Sequence, residues 1–222
     1  MELKHLGIIA DGNRRWAKEH GLPTIEGHKK GLDVIEELIG AANKAGISYI
    51  TFYVFSTENW GRSSDEVSYI MKLAESRILK YAEKLAKNNA KMIILGSREK
   101  ISDGLRKSIE KAEKMTANST GITACFCFNY GGEQEIAEAA TLASKNGNIT
   151  PESIRENLYH PEVPNIDMVV RTSGEERISG FMLWRAAYAE LLFLKKYFPE
   201  MNAGDIKDII DEYSKRNRRF GK

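Results

Sequence analysis

Asp11-Gly12-Asn13-Arg14-Arg15-Trp16, near the start of the chain, combines a carboxylate, a glycine and two arginines in six residues. Glycine lets a backbone approach a ligand closely, amides at a helix start favour anions, and guanidinium forks bind phosphate well. A lone carboxylate amid those cations would repel a phosphate. It fits better if a divalent cation sits between them, because Mg²⁺ is commonly held by one or two carboxylates together with substrate phosphates. The same residues would equally make an Asx-type turn ahead of a solvated basic helix start.

Two further segments share this character. Ser56-Thr57-Glu58-Asn59-Trp60-Gly61-Arg62 clusters polar groups around an aromatic and an arginine, and would also serve as a capped loop before a long helix. Arg171-Thr172-Ser173-Gly174-Glu175-Glu176-Arg177-Ile178-Ser179 supplies hydroxyls, a glycine and two arginines, a second candidate anion cradle. Taken together, three arginine-bearing loops suggest two anionic groups held near a metal.

The elements that must position these loops alternate in kind. Leu6–Ala10, Ile47–Phe55, Lys91–Leu95, Ile122–Phe128, Met168–Arg171 and Leu191–Leu194 read as strands. Helical periodicity runs over about Gly27–Ala45, Ser63–Asn88, Glu99–Ala117, Gly131–Lys145 and Asp205–Arg216, with Gly46 placed as a C-cap and Ser63–Glu66 resembling a capping box. Strands separated by helices of this length predict a single α/β domain over residues 1–222, with a mostly parallel central sheet flanked by helices. Such sheets bind ligands beyond the carboxyl ends of their strands, where all three loops fall.

Composition narrows the function. The 222 residues carry 33 basic against 31 acidic side chains, a net of +2, too even for a nucleic-acid-binding domain. The two cysteines, Cys125 and Cys127, share one face of a strand within an apolar run and read as buried thiols. Met1-Glu2-Leu3-Lys4-His5 carries no signal-peptide pattern, and no apolar run approaches the ~20 residues of a membrane span. A cytoplasmic protein is expected, with peripheral membrane contact left open.

Six blocks resemble the signatures of the cis-prenyltransferases, whose best-known member is undecaprenyl diphosphate synthase. They are Asp-Gly-Asn-x-Arg-Trp-Ala from Asp11, Gly27-His28, Phe-Ser-Thr-Glu-Asn-Trp-x-Arg over 55–62, Asn-Tyr-Gly-Gly over 129–132, Arg-Thr-Ser-Gly-Glu-x-Arg-x-Ser over 171–179, and Trp-x-x-Ala-Tyr-Ala-Glu-Leu over 184–191. The resemblance implies condensation of isopentenyl diphosphate with an allylic prenyl diphosphate such as farnesyl diphosphate. It implies Asp11 as catalytic Mg²⁺ ligand and Glu190 as second metal ligand. Gly12, Asn13, Arg14, Arg15 and His28 would surround the primer diphosphate, with Trp16 in the same block. Asn59 would assist proton removal with Ser56, Thr57 and Glu58 beside it, and Trp60 and Arg62 would lie near the reacting ends. Arg171, Arg177 and Ser179 would hold isopentenyl diphosphate. Arg219 and Gly221 match a family tail that reaches the partner's site in a homodimer.

The chain departs from the family pattern at Arg14, where glycine is usual, at Thr24 and Glu133, where arginine is usual, and at Val54, where alanine is typical of long-chain members. The first three bear on primer choice and keep irregular prenyl linkage, or another acceptor, as an alternative activity. A non-catalytic partner subunit is a second alternative, disfavoured by the presence of Asp11, Asn59, Arg171, Arg177 and Glu190, and a phosphate-binding module without catalysis is a third, which does not explain paired carboxylates. Val54, with the bulk of Phe126 and Phe128, predicts a product shorter than undecaprenyl. The helix from Ser63 would line the product tunnel with Val67, Ile70, Met71, Ala74, Ile78, Tyr81, Ala82 and Leu85, which equally suit an ordinary core face.

Overall fold

The computed structural model describes residues 2–216. Six strands, β1 His5–Ile9, β2 Tyr49–Ser56, β3 Lys91–Leu95, β4 Thr123–Tyr130, β5 Met168–Arg171 and β6 Glu190–Phe193, form a parallel sheet in the order β3-β4-β2-β1-β5-β6. Helices α1 Asn13–Glu19, α2 Thr24–Lys44, α3 Ser64–Lys87, α4 Asp103–Thr116, α5 Gly132–Asn146, α6 Pro151–Glu156, α7 Leu183–Ala186 and α8 Ala203–Ser214 connect and flank it. The α/β class with a parallel sheet is as the sequence predicts.

The chain divides into two compact units, the first made of Met1–Tyr53 and Asn165–Lys222, the second of Val54–Pro164. In the first, β1 is buried at all five positions, as expected of a strand covered on both faces. It pairs parallel with β2 on one side (His5↔Tyr49 to Ile9↔Tyr53) and β5 on the other (Leu6↔Met168 to Ile9↔Arg171), and β5 pairs with β6 (Met168↔Glu190 to Arg171↔Phe193). Buried His5 sets its Nε2 2.7 Å from Thr51 Oγ1, so the ring's polar atom is satisfied inside the sheet.

α2 buries Val34, Ile35, Leu38, Ile39 and Ala42 along one face and is closed beyond its C-cap Ala45 by Gly46, φ +83°, with Ile47 N–H bonding back to the Ala42 carbonyl. It begins at Thr24, three residues before the sequence-based start. Two of its three glycines are there for proximity: a Cβ on Gly27 would run into the Asn13 carbonyl, and one on Gly31 would lie 2.7 Å from Asn13 Oδ1, whereas Gly40 faces open space. Packing of α1 against α2 overrides the propensity cost of glycine.

In the second unit, β3 pairs parallel with β4 from Lys91↔Thr123 to Leu95↔Cys127, and Cys125 and Cys127 are buried free thiols. β3 is the edge strand, and its outward amides are closed by side chains. Met92 N–H donates to Thr116 Oγ1 at 2.9 Å and Ile94 N–H to Glu113 Oε1 at 2.7 Å. The Arg98 guanidinium donates to the Gly96 and Ile94 carbonyls at 3.1 and 3.0 Å. α3 is capped by Ser63, whose Oγ accepts from Glu66 N–H, and buries Ala82 and Leu85 fully. Val67, Ile70, Met71, Ala74, Ile78 and Tyr81 stay half-buried. Tyr81 lies edge-on to Phe126 at 5.8 Å, and Phe55 against Phe128 at 5.5 Å. Strand alternation puts Val54 on the face of β2 opposite Phe55, so its bulk and that of Phe128 are not added in one place.

Among the described residues, no helix is long and apolar enough to cross a membrane.

Candidate active site

Asp11 follows β1 and is fixed by its own backbone. Its N–H donates to Thr172 Oγ1 at 3.0 Å, its carbonyl accepts from Phe198 N–H at 2.9 Å, and its Oδ1 accepts from Gly12 N–H at 2.7 Å. Gly12 adopts φ +99°, and a Cβ there would meet Tyr197 Cδ1 at 2.6 Å and Ser173 at 3.1 Å. Only glycine supplies that turn at that closeness.

The Asp11 Oδ2 faces two guanidinium groups: Arg171 Nη2 at 2.8 Å and Arg15 Nη2 at 3.4 Å. Arg171 ends β5 and is 5 % exposed, so its charge is acceptable only because it is paired and hydrogen-bonded. Its Nη1 donates to the Arg177 carbonyl at 2.6 Å and to Ser179 Oγ at 2.8 Å. Arg15, on α1, donates through Nη1 to Glu175 Oε1 at 3.1 Å, and its Cζ lies 5.8 Å from the Tyr197 ring centroid, within cation–π reach. Arg177 Nη1 donates to Glu175 Oε2 at 2.6 Å. The Arg177 hydrogen bond holds the Glu175 carboxyl below the usual carboxylate range, with Arg15 adding to it.

The loop after β5 is strained. Ser173, Ser179 and Met182 have φ of +81°, +47° and +42°, a left-handed region that costs non-glycine residues about 1–3 kcal/mol each. It is held by Ser173 N–H to the Lys196 carbonyl and Gly174 N–H to the Leu194 carbonyl, both 2.8 Å. Three buried polar atoms around it have no hydrogen-bond partner among the described residues: Arg171 Nε, Ser173 Oγ and Asn13 Oδ1. Buried polar groups are nearly always satisfied, so a guanidinium N–H and a hydroxyl left open beside Asp11 mark a place for a polar ligand.

Within the first unit the fold therefore gathers Asp11, Gly12, Asn13, Arg15, Arg171, Arg177 and Ser179. Arg14 is exposed on α1 and His28 half-buried on α2. Trp16 turns its ring to His20, centroids 4.5 Å apart. Glu190 is not brought to Asp11 within the chain. It opens β6 level with Met168, whereas Asp11 follows Ile9, which is level with Arg171. Ile9 alone is about 10 Å further along the strands than Glu190 and, two strands over, about 10 Å across from it, and Asp11 lies beyond Ile9. Instead Glu190 Oε2 lies 3.9 Å from Arg216 Nη1. Arg219 and Gly221 lie outside the described residues.

In the second unit, Thr57–Gly61 forms a 3₁₀ turn. Asn59 Oδ1 accepts from Ser56 N–H at 3.2 Å, Thr57 Oγ1 donates to Glu58 Oε1 at 3.2 Å, and Arg62 Nη1 donates to Glu66 Oε1 at 3.0 Å. Trp60 Nε1 donates to Asn129 Oδ1 at 2.7 Å, and Asn129 Nδ2 donates to the Ser97 and Glu99 carbonyls. The Asn-Tyr-Gly-Gly block thus anchors the 3₁₀ turn through Asn129. Residue types alone did not single out Thr172, Glu175 or Tyr197 as parts of the site. Thr172 and Glu175 stand inside a motif already noticed, whereas Tyr197 carries no sequence signal.

A family model described as putative undecaprenyl diphosphate synthase matches residues 9–221. An isoprenyl transferase from Rickettsia bellii is 46 % identical over 99 % of this chain and 98 % of its own length. One from Neisseria meningitidis serogroup A is 42 % identical over 99 % and 89 %. Among solved structures, lavandulyl diphosphate synthase from Lavandula x intermedia, in complex with dimethylallyl diphosphate, superposes with a TM-score of 0.94 at 28 % identity, covering 99 % of this chain and 98 % of that one. A probable undecaprenyl diphosphate synthase from Campylobacter jejuni does so at 0.86 and 30 %, covering both chains completely. The chain belongs to the undecaprenyl diphosphate synthase family, and is a prenyltransferase of the cis-prenyltransferase kind.

Proposed function

We propose that the chain, as one domain over residues 1–222, condenses isopentenyl diphosphate with an allylic prenyl diphosphate, such as farnesyl diphosphate, in a Mg²⁺-dependent reaction. The observation that carries this reading is the buried Arg171, whose Nε has no partner among the described residues, beside Ser173 Oγ in the same state and the arginines of two loops. Arg171, Arg177 and Ser179 bind the isopentenyl diphosphate. Gly12, Asn13, Arg14, Arg15 and His28 bind the primer's diphosphate, and the fixed guanidinium charges stabilise the leaving group where its negative charge grows.

Among the described residues no cluster of three or more His, Cys, Asp or Glu could hold a metal. Mg²⁺ does not demand one: a single carboxylate plus substrate phosphates is a usual ligand set, and Asp11 fits that role. Mg²⁺ bound there would neutralise charge on the departing diphosphate. Asn59 Oδ1 accepts from Ser56 N–H, and a carboxamide is a poor base. It therefore assists proton removal by orientation, and the proton passes to the departing diphosphate or to a water.

The half-buried apolar face of α3 suits the growing hydrocarbon, and Phe126 beneath Tyr81 limits its length, so the product is undecaprenyl diphosphate or shorter. A homodimer is supported by the apolar surface at the β6 edge, where Tyr188 and Leu191 are 72 and 40 % exposed. A cytoplasmic enzyme that touches the membrane to deliver its lipid completes the proposal.

A second reading, irregular linkage of short prenyl units, is favoured by Thr24 and Glu133 and by the lavandulyl diphosphate synthase likeness. One experiment separates the two. Purified protein is incubated with labelled isopentenyl diphosphate, Mg²⁺ and primers from C5 to C20. Extension to Z-prenyl diphosphates is expected, and an irregular product from a C5 primer supports the second reading. No product labelled from isopentenyl diphosphate, nor from a labelled primer in a parallel incubation, would overturn both.

A further inference from the structure

Of the two carboxylates that the first unit gathers around Arg15, Arg171 and Arg177, Glu175 is the one to which the condensation reading gives no task, and it sits where an anion belongs. Its Oε1 accepts from Arg15 at 3.1 Å and its Oε2 from Arg177 at 2.6 Å. Among the described residues these arginines are its only hydrogen-bond partners. Asp11, the other carboxylate between two arginines, differs in kind, because Gly12 N–H also binds its carboxylate and Thr172 and Phe198 pin its backbone.

The two forks that Glu175 joins come from different elements. Arg15 lies on α1 and Arg177 in the loop after β5. Under the reading above, which this inference rests on, they serve different diphosphates. The three side chains stay reachable from solvent, with Arg15, Arg177 and Glu175 43, 59 and 30 % exposed. A carboxylate and a phosphate compete for the same guanidinium donors and repel each other.

We infer that Glu175 is an internal stand-in for substrate phosphate, which holds Arg15 and Arg177 together and is displaced from both when a diphosphate binds. Whichever substrate arrives first breaks the bridge, so the second meets an arginine already released. The two subsites are thereby coupled positively, and each ligand raises the other's affinity by the same factor. Partly exposed ion pairs are individually weak, and two of them correspond to roughly a twofold to thirtyfold change in a binding constant. Glu175 is on this account a positioning residue that acts through the two arginines.

The test is titration calorimetry of the full chain with isopentenyl diphosphate, alone and with a saturating, unreactive thiolo analogue of an allylic diphosphate. Wild type is expected to bind isopentenyl diphosphate several-fold more tightly when the analogue is present. Glu175→Gln and Glu175→Ala should bind it several-fold more tightly than wild type when it is alone, with little further gain from the analogue. Glu175→Asp keeps the charge and should keep the coupling. Unchanged or weaker binding by both neutral variants would overturn the inference and make Glu175 a plain support for the arginines. If wild type binds and turns over its substrates in that case, only this inference falls. If wild type binds neither diphosphate, the condensation reading falls with it.

Discussion

Replacing Arg171 by lysine keeps a positive charge and removes the fork. The arginine makes three bonds with two terminal nitrogens: Nη2 to Asp11 Oδ2 at 2.8 Å, and Nη1 to the Arg177 carbonyl at 2.6 Å and Ser179 Oγ at 2.8 Å. A lysine ammonium is a compact point charge on a shorter reach. It can stay with Asp11, which is the charged partner, and must then give up the carbonyl and the hydroxyl on the far side. Two hydrogen bonds to neutral partners are each worth about 0.5–1.5 kcal/mol net, so Arg171→Lys should lose about 1–3 kcal/mol of stability. For a chain of 222 residues that is a fall in Tm of roughly 2–12 °C. The Nε donor, which has no acceptor among the described residues, vanishes as well, so isopentenyl diphosphate affinity should fall further than stability does. Denaturant titrations of wild type, Arg171→Lys, Ser179→Ala and the double variant form a cycle. Its expected outcome is that Ser179→Ala costs less in the lysine background than in wild type. Equal cost in both backgrounds, or a lysine variant with wild-type stability and affinity, would refute the argument that the fork is what matters.

Gly27→Ala should destabilise through contact alone, because its Cβ would run into the Asn13 carbonyl. Overpacking of that kind costs about 1–3 kcal/mol or more, so calorimetry should show a clear drop in Tm, and an unchanged value would mean that α1 and α2 separate freely. His160 lies 3.5 Å from Glu113 and 3.0 Å from Glu162. Its pKa is raised from 6.5 chiefly by the hydrogen bond to Glu113, with burial opposing and Glu162 adding. A raised folded-state pKa means that its stabilisation is complete below about pH 6.5 and fades as pH rises through the folded value. Because His160 has φ +47°, asparagine is the tolerant replacement. The Tm gap between wild type and His160→Asn should be widest near pH 6 and narrow towards pH 9, whereas a gap constant with pH would dismiss the charge. The Glu162 carboxyl, lowered overall by the His160 hydrogen bond against the opposing effect of its burial, loses its own contribution only as pH falls through its folded value, at the acid end.

The strands were legible because parallel strands buried on both faces are continuous apolar runs, as in Leu6-Gly7-Ile8-Ile9 and the stretch from Ala124 to Phe128 in β4. α6 and α7, with six and four residues, were not, because neither spans enough turns to show a period. α1 was hidden for a different reason, since Asn13-Arg14-Arg15-Trp16 looks like a polar loop until the α2 glycines that admit it are placed beside it. The arginines of the site were visible in sequence, and their partners only in part. That Arg171 bridges Asp11 and Ser179 follows from the level at which β1 and β5 stop, a matter of register that residue types do not encode. Glu190 shows the reverse: a motif can name a carboxylate, but only strand level shows that it sits at the other end of the sheet from Asp11.

The side chains that close β3 have a consequence for how the molecule meets its own copies. With Thr116, Glu113 and Arg98 occupying the outward amides and carbonyls of that strand, no further strand can be added there without first evicting them, which is how natural sheets protect themselves from runaway stacking. The opposite border, β6, carries exposed Leu191 beside Tyr188. Association by strand pairing is thus closed at β3 before any partner arrives.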